Sequence, residues 1–291
     1  MYTISNESLE LKLRDQGGEI CSIKSKKDGH EYLWNGDPSW WQFCSPTLFP
    51  IVGRLKDKRY HYNGKTYELP THGFTRTSEL KKVAESDGFI NFSLESSDET
   101  LKSYPWRFKL SIGYRLEGNR ILVLWAVENR DQSEMLFSIG AHPAFRCPLE
   151  ENGSFNDCYI EFEKDEDCPI LLTTKEGGLY QKVSCGELKG RRLNLDYGMF
   201  KDDVLLFDRL RSGTLTLRSD KSPRYVKVIA PDFPCWGIWT PTKGGAPFVC
   251  IEPWIGRPDD ADADGDLRHK AAIVRLSPTQ KYTNGYVIEI G

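Results

Sequence analysis

The chain has 291 residues, a formal net charge of -3 and 39% hydrophobic side chains, enough apolar material for a sizeable core. It has no basic excess to draw nucleic acid or anionic lipid. It also has no charged-then-apolar leader in MYTISNESLELKL and no apolar run long enough for a membrane-spanning helix, so a soluble, cytoplasmic protein is expected.

Strand-like runs dominate the chain from its start. LELKLR (9–14) and EICSIKSK (19–26) alternate apolar and polar residues. DPSWWQF (37–43), with Pro38 near a first turn, predicts a short helix. YHYNGKTYEL reads as a hairpin with Asn63-Gly64 at its tip, the pair best suited to positive φ at both turn positions. After FINFSLES (89–96), SDETLKSY (97–104) predicts a one- or two-turn helix capped at Ser97 or Asp98 and stopped before Pro105. RFKLSIGYRLEG (107–118) and RILVLWAVEN (120–129) are strands joined by a tight turn at Gly118-Asn119.

FSIGAHPAF (137–145) puts Phe137, Ile139 and Ala141 on one strand face and Ser138, Gly140 and His142 on the other. EFEKDED (161–167) reads as a solvated strand end and loop. TLTLRS (214–219), RYVKVIA (224–230) and YVIEI (286–290) complete the strands. No repeat, linker tract or sustained helical stripe interrupts them. The expectation is all-β: one domain over 1–291, a large antiparallel β-sandwich with a few short helices, or else a closed barrel.

The eight cysteines form no C-x-x-C pair, and reduced, partly buried thiols are expected. In DDADADGD (259–266), Asp260, Asp262, Asp264 and Gly265 match the opening of a calcium loop. The twelfth loop position is Ala271 and no helix pair flanks it, so an exposed acidic loop is the better reading.

Nucleophile-elbow, phosphate-loop, zinc-protease and dinucleotide motifs are all missing from the sequence. What remains is a set of polar residues in apolar settings. Glu252 lies in FVCIEPWIG, where burial would raise its pKa and make it an effective base near neutrality. A structural glutamate paired with a buried arginine is the competing reading, with Arg54 in FPIVGRLKD as the partner. His72 in LPTHGFTR sits in a turn beside Gly73, either exposed or in a binding role. His142 is either a catalytic imidazole or a strand-end histidine bonded to a loop. Trp236, Trp239 and Trp254 either stack on a ring or, more simply, fill the core.

VGRLKD, LPTHGF, SIGAHPAF and CIEPWIG, in this order and spacing, resemble the aldose 1-epimerase (galactose mutarotase-like) family, and HPAF with EPW its LacX-like branch. The resemblance spans nearly the whole chain. It implies the galactose mutarotase-like supersandwich fold and interconversion of α and β anomers of a free aldose, without metal or cofactor. It implies a small-molecule monosaccharide as partner; monomer and homodimer are both left open. Carried over by motif, His142 would be the general acid and Glu252 the general base. Arg54 and His72 would contact sugar hydroxyls or the ring oxygen, and Asp208 in LLFDRL would be the hydroxyl-binding aspartate. A carbohydrate-binding protein without turnover and a hexose-phosphate epimerase are the alternatives. The latter would need phosphate-binding cations such as Arg146, Arg191 and Arg192.

Overall fold

The computed structural model describes residues 1–174 and 178–291. Among these, one 15-stranded antiparallel sheet dominates. Its order begins with Thr47–Leu48, Ile139–Ala141, Phe248–Ile255, Cys235–Trp239 and Leu205–Phe207. It continues through Cys158–Thr173, Thr214–Ser219, Ser222–Ile229 and Lys281–Ile290, and ends with Arg120–Asn129, Phe108–Glu117, Phe89–Glu95 and Lys81–Ser86. One buried cluster joins Leu110 and Ile112 from the end of that order to Ile238, Val249 and Ile251 near its start. The sheet therefore folds over and packs its inner face on itself. No helix among the described residues is long and apolar enough to cross a membrane.

Local sequence explains most of the elements. Asn63 and Gly64 take positive φ (48° and 74°) between strands Arg59–Tyr62 and Lys65–Glu68. The helix Asp98–Ser103 carries a capping box, with Ser97 and Thr100 each bonding the other's backbone.

Three expectations are corrected. DPSWWQF forms a turn, in which the Trp40 and Trp41 amides donate to Asp37 O (3.0 and 2.9 Å). The Trp41 ring is engaged with His142 instead of a helix face. EFEKDED is not a loop: it lies within the strand Cys158–Thr173, with a register shift between Glu161 and Glu166. Glu166 is buried there, accepting the Arg211 and Ser212 amides. FSIGAHPAF is not one strand. Met135–Phe137 pairs with Val274–Leu276, whereas Ile139–Ala141 and Ala144–Arg146 both pair with Phe248–Ile255. The breaks fall where amides leave the ladder: Ser138 N–H donates to Pro50 O (2.7 Å) and His142 N–H to Pro46 O (3.1 Å).

The acidic loop is tied down by its own basic side chains. Asp260 binds Arg257 through both carboxylate oxygens, Asp264 meets His269, Asp266 meets Arg268, and buried Lys270 holds Asp259 at 2.7 Å.

Candidate functional site

Every residue of the strand Phe248–Ile255 is buried. Its alternation divides them. Val249, Ile251 and Ile255 belong to the main core, while Phe248, Cys250 and Trp254 belong to two smaller clusters on the other face. Glu252 shares that second face. The neighbouring chain repeats the pattern, with Phe137, Ile139 and Ala141 in the main core and Ser138, Gly140 and His142 turned away. Gly140 has a specific reason to be glycine: a Cβ there would meet Trp254 Cδ1 at 2.7 Å.

His142 and Glu252 meet on this outer face. Nε2 of His142 lies 3.1 Å from Oε2 of Glu252, with side-chain exposures of 8% and 1%. The contact is close but outside hydrogen-bond geometry; both carboxylate oxygens, and separately His142 Nδ1, are buried without a hydrogen-bond partner. Burial pushes Glu252 well above the ordinary carboxylate range, and the nearby Asp203 charge adds to this. Burial, reinforced by the Arg76 charge, pushes His142 down to about 3. Both directions favour the uncharged pair: a neutral imidazole beside a carboxylic acid. That pair carries one proton, the same number as imidazolium beside carboxylate. The His142 ring stacks on Trp41 (4.6 Å, 29°) and meets the edges of His72 and Trp239.

A cavity of about 260 Å³ opens over the pair, its walls including Arg54, His72, Arg76, Asp203, Trp239 and Trp254. His72 adopts φ 66°. This left-handed conformation is uncommon outside glycine and worth holding only where the surroundings fix it. Gly53 N–H donates to its Nδ1 (3.1 Å), which leaves the proton on Nε2. Burial and the cations around it hold His72 well below the usual histidine range. Gly73, at φ 70°, lets this turn lie against Phe49, whose carbonyl oxygen would stand 2.3 Å from an added Cβ. Arg54 lines the cavity with an exposed side chain laid over the Gly178 backbone. It is not the buried partner of Glu252.

The structure therefore brings His142, Glu252, Arg54 and His72 together. It does not bring Asp208, which lies outside the cavity lining, with its Oδ2 accepting the Tyr180 hydroxyl at 2.7 Å. The aspartate in the cavity wall is Asp203, also in the left-handed region (φ 85°), with its Oδ1 accepting Trp239 Nε1–H at 2.8 Å. Arg76 and Trp41 are likewise additions to the sequence reading. Arg76 donates to Thr71 O (3.0 Å) and lies over the Phe43 ring. It follows His72 by four positions, two residues past LPTHGF, and that nearness is the signal the sequence offered. Nothing in KDDVLLFD distinguishes the aspartates before the strand from the one after it. Of the three tryptophans, Trp236 is main core, whereas Trp239 and Trp254 line the cavity.

Comparison with known proteins places this geometry in a class. Residues 1–268 match the family Aldose 1-epimerase, and the chain belongs to that family. It is 34% identical to the chromosomal protein LacX of Lactococcus lactis subsp. lactis, over 99% of this chain and 98% of that one. Among solved structures, a galactose mutarotase related enzyme from Lactobacillus acidophilus superposes with a TM-score of 0.93 at 33% identity, covering 100% of this chain and 97% of that one. A galactose mutarotase-like protein from Lactobacillus casei ATCC 334 gives 0.93 at 28% identity, with both chains fully covered. The fold is the galactose mutarotase-like one.

Proposed function

We propose that this protein is a mutarotase, interconverting the α and β anomers of a free aldose by acid/base ring opening and reclosure. The observation that carries the reading is the His142–Glu252 contact at 3.1 Å on the floor of a cavity of about 260 Å³. That volume falls below the roughly 300–1,000 Å³ of drug-sized pockets, which suits one monosaccharide.

The two oxygens of a hemiacetal share one carbon, so two adjacent proton-transfer groups can serve both at once. Glu252 takes the proton of the C1 hydroxyl and His142 gives one to the ring oxygen. The C1–O5 bond breaks, leaving an open-chain aldehyde. Rotation about C1–C2 presents the other carbonyl face. Reclosure then runs the transfers backwards. Burial favours keeping the single proton on Glu252. Substrate binding must first place it on His142; ring opening then passes it to Glu252 by way of the sugar, and reclosure returns it to His142. His72, donating from Nε2, and the Arg54, Arg76 and Asp203 side chains would bind the hydroxyls and ring oxygen. Trp239 and Trp254 offer apolar walls to the ring.

The hexose-phosphate alternative loses its candidate cations, because Arg146, Arg191 and Arg192 are not in the cavity lining. Arg191 donates to Phe162 O, and Arg192 pairs with Asp220. The test is anomer exchange by NMR saturation transfer with several free aldoses and glucose 6-phosphate. Exchange faster than the buffer control for a free sugar is expected. Binding with exchange no faster than buffer would turn the reading into a carbohydrate-binding protein, and a preference for the phosphorylated sugar would favour the epimerase alternative.

A further inference from the structure

Cys250 has no part in the reaction proposed above. It precedes Glu252 by two positions on the same face of Phe248–Ile255 and is fully buried. A ring nitrogen of His142, the Cys250 Sγ and a carboxylate oxygen of Glu252 all lie within 4.8 Å of one another. All three residues are more than nine-tenths buried, and the two Glu252 oxygens have no hydrogen-bond partner.

We propose that His142, Cys250 and Glu252 form a binding site for a thiophilic divalent cation, Zn2+ foremost, and that its occupancy switches the protein off. The donor set fits that class. One thiolate, one imidazole and one carboxylate suit a borderline-soft ion, whereas Mg2+ and Ca2+ want oxygen ligands throughout. Three protein ligands leave a fourth position for water or a sugar hydroxyl, and two of the three, His142 and Glu252, line the cavity. Around a tetrahedral zinc the ligand atoms stand roughly 3–4 Å apart. The His142–Glu252 contact is already that short, and the thiol lies within 4.8 Å of the other two ligand atoms. Binding is an exchange without redox change: Zn2+ enters, and the thiol proton and the proton held by the His142–Glu252 pair leave to the buffer. A coordinated imidazole and carboxylate can no longer pass protons to a sugar. The binding half of the proposal is independent of the mutarotase reading, while the inhibition half rests on it.

The test uses the full chain, reduced and metal-free. Titration with Co2+ as an optical probe should give one equivalent of a thiolate-to-metal charge-transfer band, with visible bands of tetrahedral intensity. Zn2+, in competition with a chromophoric chelator, should displace it and suppress anomer exchange. Cys250→Ser should abolish the charge-transfer band and weaken Zn2+ binding at least tenfold, with metal-free exchange within about threefold of the parent. Cys250→Ala serves if the serine variant folds poorly. Cys185→Ser, at an exposed thiol, should leave the titration unchanged. No charge-transfer band at millimolar Co2+, or undiminished Zn2+ affinity in both Cys250 variants, would overturn the site. A Co2+ band in a protein with no anomer exchange would keep the site and reject the proposed reaction.

Discussion

At the scale of single residues, the proposed chemistry depends on one proton shared by two buried groups. His142→Asn and Glu252→Gln each remove one end of the transfer while keeping the side-chain shape. Each should lower turnover by about 10²–10⁴-fold and leave the melting temperature within a few degrees of the parent, measured by saturation transfer and thermal denaturation. A variant with near-normal turnover would remove that residue from the mechanism.

The pH profile tests the same pair differently. The active form carries one proton. Activity falls at low pH when a second proton goes onto His142, and at high pH when Glu252 loses the only one. Burial lowers the first event to about 3 and raises the second well above the ordinary carboxylate value. The expected bell is therefore broad, with its acid limb below pH 4.5. An acid limb at pH 6–7 would mean that His142 titrates as an exposed histidine. Glu252 was legible because a glutamate inside FVCIEPWIG is out of place by context, whereas His142 alone reads as an ordinary strand-end histidine and was singled out by the resemblance that SIGAHPAF carries. Asp203 was not, because its selection depends on how the chain turns before Leu205–Phe207, and that turn leaves no local mark.

At the scale of elements, the site is held by segments that never touch the substrate. Glu19 is fully buried, pairs with Arg14, and accepts the Cys44 and Ser45 amides at 2.5 and 2.7 Å. The next residue, Pro46, accepts the His142 amide, and Cys44 O accepts the Ala144 amide. One carboxylate thus fixes the strip of backbone that brackets the imidazole. Glu19→Ala would leave two buried amides unpaired and Arg14 without its partner. Losing one side of a buried pair costs about 3–5 kcal/mol. Because Arg14 is partly exposed, about 3 kcal/mol is expected, read by urea denaturation. The accompanying loss of anomer exchange should exceed what the folded fraction accounts for. A stable variant with normal exchange would show that Glu19 does not position the site.

Elements were well predicted where local chemistry decides them, as at Asn63-Gly64 and Ser97. They were missed where distant partners decide. The Trp41 turn is set by the His142 ring it stacks on, and the strand through Glu166 is stabilised by amides of Arg211 and Ser212 some distance along the chain.

At the scale of the whole molecule, the pattern of alternation was enough to predict a sandwich, but not how the sheet closes. Alternation says which face is buried; it is silent on which strand lies across the core. The answer lies in the cluster that joins Leu110 and Ile112 to Ile238, Val249 and Ile251. The strand bearing Glu252 gets its inner support from strands at the other end of the sheet order, so damage there should reach the site. Ile112 is completely buried on Phe108–Glu117, far along the sheet from Phe248–Ile255. Ile112→Ala removes buried methyl groups and should cost about 2–5 kcal/mol. If the two layers form one cooperative unit, that loss should lower amide-exchange protection at Ile251 as much as at Leu110, and backbone and tryptophan signals should melt together. Protection lost only around Ile112, with Ile251 unchanged, would mean that the layers unfold separately and that the chain is not a single domain.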